Sequence, residues 1–284
     1  METNVENTTT TPKRIYNLKV EKLTSIPKVL MFGNFKSGAN LPPKVDLRSK
    51  CPPVYDQGSL GSCVAQALCS AFGYNDPKHD PSRLFLYYNC RAIQGDIDYD
   101  NGSTISTGIQ AMLNYGLCKE SSWPYNISKF THQPPKNCYV EAKRHEIISY
   151  EHVAQTKDSI KSCLASGHLI TLGILVFPGL DSAEAAKTGI VPMPKENDPI
   201  LGGHAVVCVG YDDSKQVWIM RNSWGTDWGD KGYFYLPYPY LTEPYLASDM
   251  WKITKVEMSH AMKGNGLFHS TKNPSTGKIS TKRQ

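Results

Sequence analysis

Gln57-Gly58-Ser59-Leu60-Gly61-Ser62-Cys63, running on into Val64-Ala65-Gln66-Ala67-Leu68-Cys69-Ser70-Ala71-Phe72, is the stretch that decides how this chain folds. A turn rich in glycine and serine gives way to Ala67, Leu68, Ala71 and Phe72 at helical spacing. A helix therefore begins at or beside Cys63. Unsatisfied N–H groups and the positive end of the helix dipole favour an anion there, and a thiol so placed ionises more readily. Taken alone, this cysteine reads more simply as a small buried residue opening a core helix.

Two later stretches change that reading. Gly202-Gly203-His204-Ala205-Val206-Val207-Cys208-Val209-Gly210-Tyr211 has the texture of a strand entered through paired glycines, and Asp212 to Lys215 has hairpin chemistry. Val217-Trp218-Ile219-Met220 is the expected return strand, and it runs into Arg221-Asn222-Ser223-Trp224-Gly225. A Gln-Gly-x-x-Gly-Ser-Cys turn, a His-Ala strand and an Asn-Ser-Trp-Gly turn, in this order, resemble the papain-like (cathepsin-like) cysteine peptidases. The separations, 141 residues from Cys63 to His204 and 159 to Asn222, resemble that family's spacing too. The resemblance runs from about Leu41 to Ile253.

It implies an α+β fold, with a helical half beside an antiparallel, barrel-like sheet half and the active-site cleft between them. Ser82–Cys90 and Thr107–Gly116 show helical apolar spacing, whereas Leu169–Phe177 and Ala205–Tyr211 read as strands. The expected organisation is an N-terminal extension over 1–40, a helical half over 41–145 carrying the nucleophile, a β-rich half over 146–258, and a basic disordered tail over 259–284. Residues 1–12 are polar and expected to be disordered. They lack the charged-then-apolar pattern of a secretory signal. Residues 13–40 carry Ile15, Tyr16, Leu18 and Val20, enough apolar character to dock. Whether they form a short inhibitory pro-segment or an arm packed outside the cleft is open at this level.

By resemblance, Cys63 is the nucleophile and His204 the general base and acid, with Asn222 orienting the imidazole. A resting thiolate–imidazolium pair is implied. The Cys63 backbone N–H and the Gln57 side-chain amide are the implied oxyanion donors, and Trp224 shields the Asn222–His204 bond. Asn101-Gly102-Ser103 aligns with the loop that pairs with substrate backbone. Ile105, Gly173 and Ala205 line the neighbouring side-chain pocket, implying an apolar substrate residue two before the scissile bond. Relatives that trim C-termini carry paired histidines, absent here, so an endopeptidase is favoured. A thiol acyltransferase or peptide ligase would use the same residues. A non-catalytic peptide-binding module is the weaker alternative, since Cys63, Gln57, His204 and Asn222 are all intact.

Composition agrees with a large enzyme: 284 residues, 40% hydrophobic, enough to fill two small domains. No run approaches the roughly 18 apolar residues of a membrane span, and a cytoplasmic location is the default expectation. The formal charge of +5 is matched by residues 259–284 alone. With +3 on residues 1–40, the body between carries −3 and offers nucleic acid no basic surface. The expected partner is a polypeptide substrate, with oligomeric state undetermined. None of the eight cysteines has a paired zinc spacing and the histidines are scattered, so neither a metal nor a cofactor is expected. A family disulfide near the nucleophile is missing both partners, at Leu60 and Asp100, so that turn must be held by packing and hydrogen bonds. Cys90 and Cys138 align with another family bridge and, without a secretory signal, can equally stay reduced.

Overall fold

The computed structural model describes residues 14–19, 40–145 and 149–254. The polar start, most of the 13–40 stretch and the basic tail lie outside the described residues.

The chain opens with β1 (Lys44–Asp46) and then builds the helices α1 (Cys63–Asn75), α2 (Arg83–Gln94), α3 (Ile105–Tyr115) and α4 (Lys136–Ala142). Local chemistry sets their ends. Ser82 Oγ accepts the Phe85 N–H at the start of α2, and Thr104 Oγ1 accepts that of Thr107 at the start of α3. Gly95, in the left-handed region at φ 78°, stops α2. α1 is buried from Cys63 to Gly73, which is why that stretch carries no charged residue and only Gln66 and Ser70 add polar side chains to its apolar ones. α3 crosses it closely at Gly108, where an added Cβ would lie 2.3 Å from Leu68.

The second half runs β2 (Ser149–His152), α5 (Lys157–Ala165), β3 (Ile170–Val176), α6 (Ala183–Thr188), β4 (Gly202–Asp212), β5 (Val217–Arg221), β6 (Tyr233–Pro237), α7 (Tyr238–Thr242) and β7 (Ala247–Thr254). These strands form a seven-stranded sheet in the order β2-β7-β3-β4-β5-β6, with β1 pairing onto β4. Every strand pair in it is antiparallel. β1 lies within the stretch read as helical, yet it pairs with β4, opposing Val45 to Tyr211. Gly210 permits the approach, since a Cβ there would meet Val45 O at 2.2 Å.

Two apolar cores result. One gathers Leu68, Phe72, Phe85 and Ile109 around α1; the other gathers Ile170, Leu172, Trp218 and Phe234 on the sheet. Arg221, at the end of β5, spans the seam. Its guanidinium donates to Ser70 Oγ on α1 at 3.1 Å, to Pro52 O at 2.8 Å, to Tyr233 Oη at 3.1 Å and to Pro53 O. Cys63, on α1, thus meets the seam from one side and His204, on β4, from the other.

Candidate active site

Cys63 is the first residue of α1 and fully buried. The preceding Ser62 does not cap the helix with its side chain. Its hydroxyl pairs instead with Tyr125 Oη at 2.6 Å and accepts from Gln66 Nε2 at 3.1 Å. The first-turn amides are therefore left for the sulfur, and those of Cys63 and Val64, with that of Ala205 from β4, favour its anion. Contact with Ala205 sets the sulfur beside the neighbouring His204.

Within β3–β4 pairing, His204 stands opposite Ile174 and Ala205 opposite Gly173. His204 Nε2 meets Asn222 Oδ1 at 2.9 Å, while Nδ1 has no hydrogen-bond partner. One ring nitrogen is thus oriented and the other left available. Trp224 stacks on the imidazole at 4.9 Å and 22°.

The turn leading into Cys63 is tied to the Asn222 turn by backbone bonds, Gln57 N–H to Ser223 O at 2.9 Å and Gly225 N–H to Tyr55 O at 3.0 Å. The Gln57 side chain is fixed at both ends: Oε1 accepts Ser223 Oγ at 2.7 Å and Nε2 donates to Leu60 O at 3.0 Å. An amide nitrogen carries two protons, so one remains for a ligand. In place of the missing disulfide, the Asp100 carboxylate accepts the Gly61 N–H at 3.1 and 3.0 Å and also accepts from Tyr87 Oη. Sequence reading identified the gap but not this replacement, because nothing in the local pattern ties residue 100 to residue 61.

The same loop presents Asn101, exposed, and Gly102 and Ser103, buried. The described residues 14–19 lie across it. Leu18 N–H donates to Gly203 O at 3.0 Å, and Lys19 N–H to Ser103 O at 3.2 Å, both in parallel bridges. Gly102, at φ 68°, is essential to this approach, because a Cβ would fall 1.8 Å from Asn17 O. Leu18 fills the pocket over Gly173, where an added Cβ would lie 2.6 Å from its Cδ2, and joins the cluster containing Ile105 and Ala205. On the other side of His204, the Arg14 guanidinium sits 4.0 Å from the Trp224 ring and Tyr16 6.0 Å. Lys19 pairs with Asp96 at 3.0 Å at the far end. Residues 14–19 of the stretch left undecided by sequence therefore lie in the cleft.

Burial dominates the electrostatics of the site. Burial pushes the Cys63 thiol up to about 11, against the smaller pull of the Ala205, Val64 and Cys63 amides. Burial likewise lowers His204 to about 4, against the opposing hydrogen bond from Asn222. The ionised pair implied by resemblance is not the form favoured here: with both groups out of water, the neutral thiol and neutral imidazole are preferred. The cysteine alignment also shifts. Cys138 adjoins Cys118, and all eight thiols are free.

A helical half and an antiparallel sheet half, with a helix-start cysteine and a histidine–asparagine pair meeting at their junction, define a thiol hydrolase of the two-domain cleft type. The family pattern described as "Papain family cysteine protease" matches residues 41–240, and the chain belongs to that family. An uncharacterized peptidase C1-like protein of Acanthamoeba polyphaga mimivirus is 41% identical over 246 residues, covering 78% of this chain and 79% of its own length. Cysteine proteinase 1 of Entamoeba histolytica is 30% identical over 68% of this chain and 62% of its own. Among solved structures, xylellain, a cysteine protease from Xylella fastidiosa, superposes with a TM-score of 0.77 at 38% identity, covering 85% of this chain and 95% of its own. Digestive procathepsin L 3 of Tenebrio molitor shares the fold, with a TM-score of 0.62 at 20% identity over 79% of this chain and 74% of its own. The chain is a papain-family cysteine protease, a hydrolase acting on polypeptides. Among the described residues, no helix is long and apolar enough to cross a membrane.

Proposed function

We propose that this protease is an endopeptidase working through a thioester acyl-enzyme, with its cleft covered by its own residues 14–19 until that segment is displaced. The observation that carries the reading is His204, held through Nε2 by Asn222 with Nδ1 left without a partner beside a helix-start cysteine.

With the cleft open, Cys63 Sγ gives its proton to His204 Nδ1 and attacks the scissile carbonyl carbon. The developing oxyanion is met by the Cys63 N–H and the second proton of Gln57 Nε2, donors commonly worth about 3 kcal/mol each. As the tetrahedral centre collapses, the C–N bond breaks and the imidazolium returns its proton to the departing amine. A water then loses a proton to His204, attacks the thioester and releases the carboxylic acid and the thiol. Asn222 orients the ring throughout without adding charge. The placement of Leu18 over Gly173 supports an apolar side chain in that pocket of the substrate, and its backbone bonds to Gly203 and Ser103 use groups that a substrate strand needs.

Cys63→Ala is expected to lower turnover of a peptide with a leucine two before the cut by on the order of 10⁴-fold or more, with the circular dichroism spectrum unchanged. Residual turnover within tenfold of the parent would remove Cys63 from the nucleophile role.

A further inference from the structure

Asp76 closes α1, and its carbonyl accepts the His79 N–H at 3.0 Å. A turn with this i to i+3 bond sets the two side chains on one side. His145 arrives from the end of α4, its N–H donating to Ala142 O at 2.8 Å and its carbonyl accepting the Leu117 N–H at 3.1 Å. Gly116, at φ 70°, makes room for this, since a Cβ there would lie 2.0 Å from Ala142 O and 3.1 Å from His145 O. Histidines scattered in sequence thus converge. A carboxylate oxygen of Asp76 and one ring nitrogen each of His79 and His145 all lie within 4.8 Å of one another.

A second observation points to a ligand. His79 is 2% exposed, and although the Leu117 backbone lies near its ring, neither ring nitrogen meets a partner at full hydrogen-bond geometry. Polar atoms so buried ordinarily have one. The C-terminal end of α1 adds negative potential beside the site.

We propose that Asp76, His79 and His145 bind a divalent transition-metal ion of the zinc type, completing its tetrahedron with water. The two imidazoles stack at 3.9 Å and 29°, so one ring turns on binding to bring both lone pairs to a common point. Asp76 and His145 also interact elsewhere, and the ion replaces part of those interactions. The site would clip the end of α1 to the 116–117 and 142–145 segments. Cys63 stands at the other end of that helix, about 20 Å away for 13 residues. The role is therefore structural, separate from proteolysis, and testable without turnover.

The test uses the full chain carrying Cys63→Ala, since a catalytic thiol and imidazole would themselves take up zinc. Titration with Co²⁺ is expected to give a saturable d–d absorption at one equivalent, without a thiolate charge-transfer band, that Zn²⁺ displaces. His79→Phe keeps the ring packing and is expected to weaken binding at least about tenfold. It should also abolish the Zn²⁺-induced rise in Tm. No saturable absorption, a thiolate charge-transfer band, or unchanged affinity in both His79→Phe and His145→Gln overturns the site. Should a variant fail to fold, the spectrum of the Cys63→Ala protein decides alone.

Discussion

Cys63 carries two opposing influences, a helix terminus that favours its anion and burial, to which residues 14–19 over the neighbouring cleft are proposed to add, that disfavours it. The first was visible in sequence, because glycine-serine turns and helical spacing are local signals. The second was not, because residues 14–19 show no periodicity and act through distant partners: Leu18 over Gly173, Arg14 over Trp224, Lys19 on Asp96. Cover and reactivity are therefore linked. In the full chain, alkylation of Cys63 by iodoacetamide is expected to be slow at neutral pH and to rise only as pH approaches about 11, where the buried thiol ionises. In protein lacking residues 1–40, water and the open His204 restore the charged pair, so the profile should move to lower pH, with alkylation at pH 7 at least about tenfold faster. Coincident profiles would mean that the segment does not govern the thiol.

At the scale of elements, the ends of α2 and α3 were legible because Ser82 and Gly116 are conventional start and stop residues, and the β4–β5 hairpin because its turn is polar. β1 was not, being three residues long with an alternation too short to read, and its pairing with β4 depends on Gly210 far along the chain. The nucleophile turn shows a similar limit. The absence of its disulfide could be read from Leu60 and Asp100, but not the hydrogen bonds from Gly61 and Tyr87 that the Asp100 carboxylate accepts. Asp100→Ala removes a charged acceptor from a buried N–H and is expected to cost about 1.5–3 kcal/mol of unfolding free energy. The measurement is a urea titration of the Cys63→Ala protein with and without the second substitution. A change below about 0.5 kcal/mol, the usual range at surface sites, would show that packing alone holds the turn.

For the whole molecule, the two-core architecture followed from the order of motifs, since a proposed nucleophile on a helix and its proposed base on a strand must meet at a seam. What seals that seam, Arg221 reaching Ser70 and the Pro52 and Pro53 carbonyls, is a tertiary fact that no window of sequence carries. The convergence of Asp76, His79 and His145 has the same origin. The most direct measurement of the central claim is labelling of the protein freed of residues 1–40 with a peptidyl epoxide bearing leucine, followed by mass mapping of all eight cysteines. Modification confined to Cys63, and lost in His204→Ala, is the predicted result. Label on another cysteine, or labelling of Cys63 that His204→Ala leaves unchanged, would contradict a nucleophile activated by His204.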